Sequence, residues 1–487
     1  TPIRNTQYAI IITGVKRLSN WELLTWILLP IILAPLLGLL PSPAGLDRAL
    51  KGARQALESD SPLSASEHLV RIAEYLPWRD TLWELAGRSA LKGGDPQAAI
   101  RYLQIAATHG QITAEGYVAL GDAYQQAGDL DVAIETWEVA LDHGNEPLEI
   151  YYRLLDAHRT MGDYAAAIED LRTIAQLAPT NAQSRYQLGL MLAARQPEAA
   201  LDYLIQAMEI DEELTSAVQV LQRSLRPSPK TNDPAYVLLN AGRALAFLDE
   251  WALAAEAFYQ STQANPNYAE AWAFLGEARE QLGQDGAAEL EKAIELNPES
   301  LTANTLYALY QKRHGNPEIA LVYLHAAANI KPENPAIQAE IGSTLDVMGD
   351  FNTALSHYLR ATELAPRDAA YWHLLAFFSL KNSTQIEEIG LAAARQALLL
   401  DEDDPIALDL MGYGYYLLGD MVTAQRFLQR SLEINPEYAP AMFHLGLRYL
   451  AQGDSSNARK QLLRAIALAP NTPTAEQAAR ILERYLP

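Results

Sequence analysis

The chain has 487 residues, of which 49% are hydrophobic and 20% charged, with no cysteine and a formal net charge of −23. An apolar fraction of this size can fill a large buried core, which excludes a wholly disordered chain. The lack of cysteine excludes disulfides, thiolate zinc sites, iron–sulfur clusters and cysteine nucleophiles, and the acidic surface argues against a general nucleic-acid binder because it repels phosphate backbones.

The first predicted element is a membrane segment. Residues 21–40 read WELLTWILLPIILAPLLGLL and contain one charged residue, Glu22. A helix of about 20 residues spans about 30 Å, which is the thickness of the hydrocarbon core of a bilayer. We therefore expect an uncleaved, single-pass transmembrane helix. The alternative is a cleaved signal peptide, with Lys16 and Arg17 as its charged region and small residues near Ala44 as a cleavage site.

The basic residues on the two sides of this segment are nearly balanced. Three lie in residues 1–20 and three between residues 48 and 54. The later three fall in a predicted helix and are partly offset by Asp47 and Glu58. Because basic residues near a span favour the cytoplasmic side, we expect the short tail inside and the bulk of the chain outside the cytoplasm.

After the membrane segment, one pattern recurs over residues 46–470. Two examples are YVALGDAYQQAGDLDVAIETWEVAL (117–141) and MFHLGLRYLAQGDSSNARKQLLRAIALAP (442–470). A small residue marks the middle of the first helix in nearly every unit. Ten of the eleven steps between these marks are 32, 34 or 36 residues, and the remaining step is 53. The twelve marks are Ala53, Gly87, Gly121, Leu155, Gly189, Gly242, Gly276, Ala308, Gly342, Ala376, Gly412 and Gly446.

This pattern resembles the tetratricopeptide repeat, whose signature combines W-x2-L-G-x2-Y, A-x3-F and a closing proline. The resemblance implies an all-α fold, a right-handed α-solenoid of about 12 tetratricopeptide helix pairs, here preceded by one transmembrane helix. Neither helix of such a pair can bury its apolar face alone, so stacking is required. We expect Gly-Asp turns such as 349–350 and 419–420 to combine a glycine at positive φ with an aspartate that caps the next helix.

Departures from the repeat divide the chain. The step of 53 residues contains an extra apolar stretch, LTSAVQVLQRSL, followed by the breaker-rich RPSPKTNDP. A second departure, KNSTQIEEIG at 381–390, replaces the usual Gly-Asp turn. The predicted divisions are an N-terminal tail (1–20), a transmembrane helix (21–40), an N-terminal repeat arm (46–212), an inserted helix and hinge (213–233), a C-terminal repeat arm (234–470) and a capping helix (474–486).

The sequence contains no phosphate-binding loop, dinucleotide fingerprint, zinc-protease motif or serine-hydrolase motif. The histidines occur singly and without metal-ligand spacing. The acidic run at 401–404 is either a calcium site or a solvated loop that caps the helix beginning near Pro405. We therefore expect no catalytic residue, no cofactor and no metal, and a chain that is not an enzyme.

The resemblance also implies where a partner binds, because the first helices of tetratricopeptide units line the concave face. Leu190 and Leu239 project to this face, and the C-terminal part of it is unusually apolar, which indicates a hydrophobic segment as ligand. The alternative is that some of these residues contact neighbouring repeats. Nine residues are the predicted partner-binding set: Tyr186, Tyr236, Arg243, Phe247, Phe377, Tyr413, Tyr416, Phe443 and Leu447.

The same projection argues against two kinds of tetratricopeptide protein. Chaperone-binding members hold a terminal carboxylate with Lys and Asn at these positions, whereas this chain has Val118 and Asp122 in one unit and Phe443 and Leu447 in another. Sugar-transferase members carry a ladder of asparagines, and here only Asn240 matches.

These features predict a membrane-anchored, non-enzymatic scaffold for protein–protein interaction at a bacterial membrane surface. The expected partners are proteins, membrane subunits among them, and the lipid bilayer through residues 21–40, but not nucleic acid. Two alternatives remain: a structural accessory subunit of a large respiratory, photosynthetic or filament complex, and part of a membrane transferase.

Overall fold

The computed structural model describes residues 44–79, 81–110, 112–144, 147–225 and 233–486. The predicted transmembrane helix (21–40) and the tail before it lie outside these ranges. Throughout the described ranges the regular structure is helical, without a β-strand. None of the helices searched there combines the length and the apolar character needed to cross a bilayer.

The chain divides into two compact units, one ending at Pro179 and the other beginning at Thr180. The predicted division at 213–233 therefore lies inside the second unit. The described part of the first unit consists of α1 (Ala44–Glu58), α2 (Pro62–Tyr75), α3 (Thr81–Lys92), α4 (Pro96–Thr108), α5 (Ala114–Ala127), α6 (Leu130–His143), α7 (Pro147–Met161) and α8 (Tyr164–Leu177).

The second unit begins with two helices of a repeat and then an extra helix that interrupts the alternation. Its first part comprises α9 (Ala182–Arg195), α10 (Pro197–Ile210), a 3-10 turn (Glu212–Leu214), α11 (Thr215–Leu225), α12 (Pro234–Phe247), α13 (Trp251–Ala264), α14 (Ala269–Gln281), α15 (Ala287–Leu296), α16 (Leu301–Arg313) and α17 (Pro317–Ile330). Its second part comprises α18 (Pro335–Met348), α19 (Phe351–Leu364), α20 (Ala369–Lys381), a π-helical segment (Ile386–Leu391), α21 (Ala392–Leu400), α22 (Pro405–Leu417), α23 (Met421–Ile434), α24 (Ala439–Ala451), α25 (Ser455–Leu468) and α26 (Pro473–Tyr485).

Within each unit the helices pack as successive antiparallel pairs, and small residues set the distance between partners. A Cβ atom added at Gly412 of α22 would lie 2.6 Å from Leu428 Cγ of α23, so any larger residue would push the two helices apart. From the second helix of the pair, Ala424 contributes a fully buried methyl group. The prediction of stacked helix pairs is confirmed.

The turns inside the pairs have the expected chemistry. Gly349 and Gly419 adopt φ values of 82° and 83°, a region that is costly for residues with a Cβ. The carboxylate of Asp420 accepts a hydrogen bond from the backbone N–H of Thr423 at 3.0 Å and so caps α23. One pair departs from this plan: after Lys381 the chain forms a π-helical segment, and α21 is correspondingly short.

Candidate partner-binding grooves

The first candidate surface is a groove of about 610 Å³ near the end of the second unit. Its walls come from α20, α22 and α24, which are the first helices of three successive pairs, and from the last helix, α26. We call it the C-terminal groove. Its lining residues are His373, Leu374, Phe377, Lys381, Ile406, Asp409, Leu410, Tyr413, Tyr438, Pro440, Phe443, His444, Pro473, Thr474 and Gln477.

Aromatic side chains form much of this groove. Phe377 is 51% exposed although it is a large apolar residue. The ring of Tyr413 stacks on the imidazole of His444 with 4.1 Å between centroids, and the ring of Phe443 lies 5.4 Å from the same imidazole. Contacts of this kind hold the rings in fixed positions, so the groove offers a preformed apolar surface.

The carboxylates of the groove are already paired with histidines. Nδ1 of His444 hydrogen-bonds to Oδ1 of Asp409 at 2.7 Å, and Asp409 is only 2% exposed. Nε2 of His373 hydrogen-bonds to Oδ2 of Asp404 at 2.5 Å. The other oxygen of Asp404 accepts from the backbone N–H groups of Ile406 and Ala407, which confirms the predicted cap of the helix beginning at Pro405.

The tyrosines of the groove are neutral at physiological pH. Burial raises the pKa of the Tyr438 hydroxyl, and the nearby carboxylates of Asp409 and Asp404 raise it further. Burial likewise raises the pKa of Tyr413, with smaller contributions from Tyr416 and Asp409. Neutral phenols can line an apolar groove without adding charge to it.

Elsewhere in the described chain, no group of three or more His, Asp or Glu side chains is arranged to hold a metal ion. In the acidic run, Asp403 is paired with Arg430 at 2.7 Å and Asp404 is used as described above. The run therefore acts as a helix cap and an ion-pair partner.

The second candidate surface is a groove of about 580 Å³ between α11 and α12. On α12, four of its residues, Tyr236, Asn240, Arg243 and Phe247, follow each other at intervals of four, three and four, which places them on one face of the helix. Phe247, at the end of this stripe, is 77% exposed. We call this surface the arginine groove, and its lining residues are Val220, Arg223, Ser224, Tyr236, Asn240, Arg243, Ala244 and Phe247.

A smaller hollow of about 280 Å³ adjoins it, with Arg243 and Phe247 shared between the two. The guanidinium of Arg243 lies over the ring of Phe274, 5.5 Å from its centroid, and this ring in turn stacks on Phe258 at 5.3 Å. We call it the aromatic hollow, and its lining residues are Arg243, Ala246, Phe247, Trp251, Phe258, Phe274 and Glu277.

The structure thus places six of the nine predicted residues in two groups. Phe377, Tyr413 and Phe443 line the C-terminal groove, and the other three, Tyr236, Arg243 and Phe247, line the arginine groove.

The remaining three predicted residues lie outside the lining of both grooves. Tyr186 is half-buried on α9, and burial together with the carboxylate of Glu250 raises its pKa. Tyr416 stacks on Tyr413 with 6.2 Å between ring centroids. Leu447 packs against the apolar cluster around Leu462.

Two other residues projected to the inner face are core residues. Leu190 is 3% exposed and Leu239 is 4% exposed, so neither is available to a partner. The physical reason is rotation around the helix. Residues three and four positions after Tyr236 lie on opposite sides of it, so residue 239 is at the packed edge of this face and residue 240 is on the groove side.

Residues contributed by α11 and α26 were missed, because these two helices carry no repeat signature. Val220, Arg223 and Ser224 belong to α11, and Pro473, Thr474 and Gln477 belong to α26. The one available signal was the amphipathic character of both stretches, which says that one face packs but does not say that it borders a groove.

Comparison with known proteins agrees with the helix pattern. Two models of the tetratricopeptide repeat match the chain, one over residues 85–147 and the other over residues 148–181 and 439–472. The peroxisomal targeting signal receptor of Candida albicans is 26% identical over 255 residues, which make up 49% of this chain and 41% of the receptor. The human protein O-mannosyl-transferase TMTC1 is 24% identical over 221 residues, 43% of this chain and 24% of the transferase.

The matched regions therefore span well under half of these relatives. Among solved structures, the APC/C hetero-tetramer Cut9-Hcn1 aligns over 96% of this chain and 99% of its own, with 13% identity and a TM-score of 0.39. The family models and the paired helices lead to the same conclusion: the chain carries tetratricopeptide repeats.

Proposed function

We propose that this protein is a non-enzymatic scaffold, anchored in a bacterial membrane, that binds partner proteins through its tetratricopeptide repeats. The observation that carries the proposal is the C-terminal groove, a preformed aromatic surface on the first helices of three successive pairs. The similarity to a peroxisomal targeting signal receptor supports it, because that relative is named for the recognition of a targeting signal.

The groove favours an extended partner segment with large apolar side chains. Its exposed ring, Phe377, and its stacked ring, Tyr413, offer apolar area, while its carboxylates are already occupied by histidines. A hydrophobic side chain that enters such a groove gains the free energy of burial without displacing the hydrogen-bond partners of these carboxylates.

The anchor belongs to the proposal through residues 21–40, whose sequence fits a membrane-spanning helix. The repeats would then lie on the extracytoplasmic side. Fixing a scaffold to the membrane raises the effective concentration of partners that share that surface, so a modest affinity for each partner is sufficient.

The test is affinity capture of the full chain from native membranes extracted with a mild detergent, followed by mass spectrometry. The informative variant is Phe377→Ala with Tyr413→Ala, and the matched control is Val422→Ala, which removes an exposed apolar side chain that lines neither groove. We expect the double variant to lose about tenfold or more of the captured partners, because two anchor residues of an interface each contribute about 1–2 kcal/mol or more.

Equal recovery with the wild type, the double variant and the control would contradict the role of the C-terminal groove. Recovery of the chain alone would contradict the scaffold itself. Recovery of the same membrane subunits in a fixed ratio, unaffected by either variant, would favour a structural accessory subunit instead.

A further inference from the structure

We propose that the arginine groove and the aromatic hollow together bind an acidic segment of a partner protein that also carries an aromatic side chain. The carboxylates of the segment would pair with Arg223 and Arg243, and its aromatic ring would enter the hollow beside Phe247. This inference rests on the proposed scaffold function, but it concerns a different surface and a different ligand chemistry from those of the C-terminal groove.

The charge of the arginine groove is opposite in sign to that of the chain. The chain has 60 acidic and 37 basic residues, whereas the only charged side chains in the lining of this groove are two arginines. Arg223 and Arg243 are both exposed, and neither forms an ion pair with any carboxylate among the residues that the structure describes. Arg223 donates from Nε to the backbone carbonyl of Gln219 at 3.2 Å, which leaves its terminal nitrogens for another acceptor.

Three carboxylates close to the arginine groove and the aromatic hollow have partners of their own. Glu277, which lines the aromatic hollow, receives two hydrogen bonds from Arg313, at 3.0 and 2.7 Å. Asp249 accepts from Nε1 of Trp251 at 2.8 Å, and Asp233 accepts from the backbone N–H of Ala235 at 3.0 Å. None of these three carboxylates forms an ion pair with Arg223 or Arg243, so both guanidinium groups are available to an incoming carboxylate.

The aromatic rings of the site orient one of its arginines in advance. Arg243 is held over the ring of Phe274, so its planar guanidinium is oriented before any ligand arrives. Arginines oriented in this way bind carboxylates through paired N–H donors, and Asn240 adds an amide to the same groove. Beside them, the exposed ring of Phe247 and the ring of Trp251 form an apolar rim that a partner's aromatic ring can cover.

The inserted helix α11 distinguishes this groove from the surfaces of the other repeats. Three of the residues that line the arginine groove belong to α11. This helix lies in the single repeat step of 53 residues and has no counterpart in the other repeats. The groove is therefore not the inner face that every repeat shares. The insertion itself creates it, and with it a basic site on an acidic protein.

The test uses an array of twelve-residue peptides in a Gly/Ser background, each made with an amidated and with a free C-terminus, in which the number of glutamates and the number of tryptophans vary independently. The full chain, solubilised in mild detergent, is applied to the array as the wild type and as the double variant Arg223→Gln with Arg243→Gln. Arg464→Gln, an exposed arginine that lines neither groove, is the matched control.

We expect wild-type binding to rise with glutamate content and to rise further when tryptophan is present, even though the acidic chain as a whole repels acidic peptides. The double variant should lose about tenfold or more of the binding to acidic peptides, since each lost hydrogen bond to a charged group lowers affinity about tenfold. The control and the variant of the C-terminal groove, Phe377→Ala with Tyr413→Ala, should keep it, which separates this inference from the proposed function.

Three results would overturn the proposal: binding that does not follow glutamate content, binding that survives loss of both arginines, or binding that requires a free C-terminal carboxylate in place of the amide. The third result would point to a ligand recognised by its chain end, not by an acidic segment.

Discussion

The two grooves belong to the same unit and are built on the same repeated helices, yet they treat charge in opposite ways. In the C-terminal groove, Asp409 is buried and paired with His444. In the arginine groove, Arg223 and Arg243 are exposed and have no carboxylate partner among the described residues. In the first groove the buried carboxylate already has a hydrogen-bond partner, whereas in the second the two guanidinium groups are open to an incoming anion.

The grooves nevertheless share one feature of their construction. Each takes one wall from a helix outside the repeat register, α26 in the first case and α11 in the second. Residues inside a repeat are constrained by packing against both neighbours, whereas an added helix is free to bring new side chains. In tetratricopeptide arrays, added helices are therefore the places to look for binding chemistry that the repeat pattern does not contain.

The largest effect is expected beneath the aromatic hollow, at Phe258→Ala. Phe258 is 1% exposed and stacks on Phe274, so truncation leaves a cavity in the core. The free energy of unfolding of the full chain should fall by about 3–5 kcal/mol, as for other buried phenylalanines. Urea unfolding followed by circular dichroism measures this change.

The control for this prediction is Phe377→Ala, because Phe377 is large, aromatic and half-exposed in the C-terminal groove. Phe377→Ala should lower the free energy of unfolding by less than about 1 kcal/mol, as is usual for an exposed position. If both substitutions lowered the free energy of unfolding by the same amount, the contrast between the buried Phe258 and the half-exposed Phe377 would be wrong.

A smaller effect is expected from Asp409→Ala in the C-terminal groove. The substitution leaves the buried imidazole of His444 without its acceptor, which typically costs about 1–3 kcal/mol. Asp403→Ala breaks the exposed pair with Arg430 and should cost less than about 1 kcal/mol. Thermal unfolding of both variants at low and high salt tests the contrast, because only the exposed pair should respond to salt. A salt-dependent loss in Asp409→Ala would show that this pair is not shielded.

A still smaller effect on stability is expected from Arg243→Gln in the arginine groove. The contact of the guanidinium with Phe274 is worth about 0.5–1 kcal/mol at an exposed site, and no ion pair with a described carboxylate is lost. Urea unfolding should therefore place this variant within about 1 kcal/mol of wild type, close to Arg464→Gln. A loss of several kcal/mol would mean that Arg243 serves the fold, and would weaken the case for it as a binding residue.

The sequence predicted the helix pairs well because their constraints are local and repeated. The spacing of small residues located Gly412, which the structure places against Leu428, and the Gly-Asp turns located caps such as Asp420. The predicted division of the chain at 213–233 does not coincide with the boundary between compact units at 179–180, since contacts across the interrupted repeat keep α9 to α13 together.

The binding surfaces were harder to predict, because an inner face defined by repeat position mixes exposed and buried residues. Tyr236 and Leu239 are three positions apart, yet one borders a groove and the other is in the core. The pairing of Asp409 with His444 joins two different repeats, and no pattern within one repeat could indicate it.

The last comparison concerns two tyrosines at equivalent positions of the repeat, Tyr268 in Asn-Pro-Asn-Tyr and Tyr438 in Asn-Pro-Glu-Tyr, each at the start of the next helix. Burial, followed by the charge of Glu270, raises the pKa of Tyr268 to about 12, while the positive charge of Arg243 lowers it. Burial beside Asp409 raises the pKa of Tyr438 as well.

Both tyrosines therefore stabilise the fold in their neutral form, and their contribution is fully present below the ordinary tyrosine pKa of 10.0 and lost as the pH rises through the folded value, about 12 for Tyr268. Tyr268→Phe should flatten the alkaline fall in the free energy of unfolding over that window, with no flattening below it.

Because Arg243 lowers the pKa of Tyr268, Arg243→Gln should move the tyrosinate absorbance of Tyr268 to higher pH, as the difference spectrum against the same variant carrying Tyr268→Phe would show. The titration of Tyr438, which lies in the other groove, should not move with Arg243→Gln. If the titrations of Tyr268 and Tyr438 both moved in Arg243→Gln, the two grooves would be electrostatically coupled.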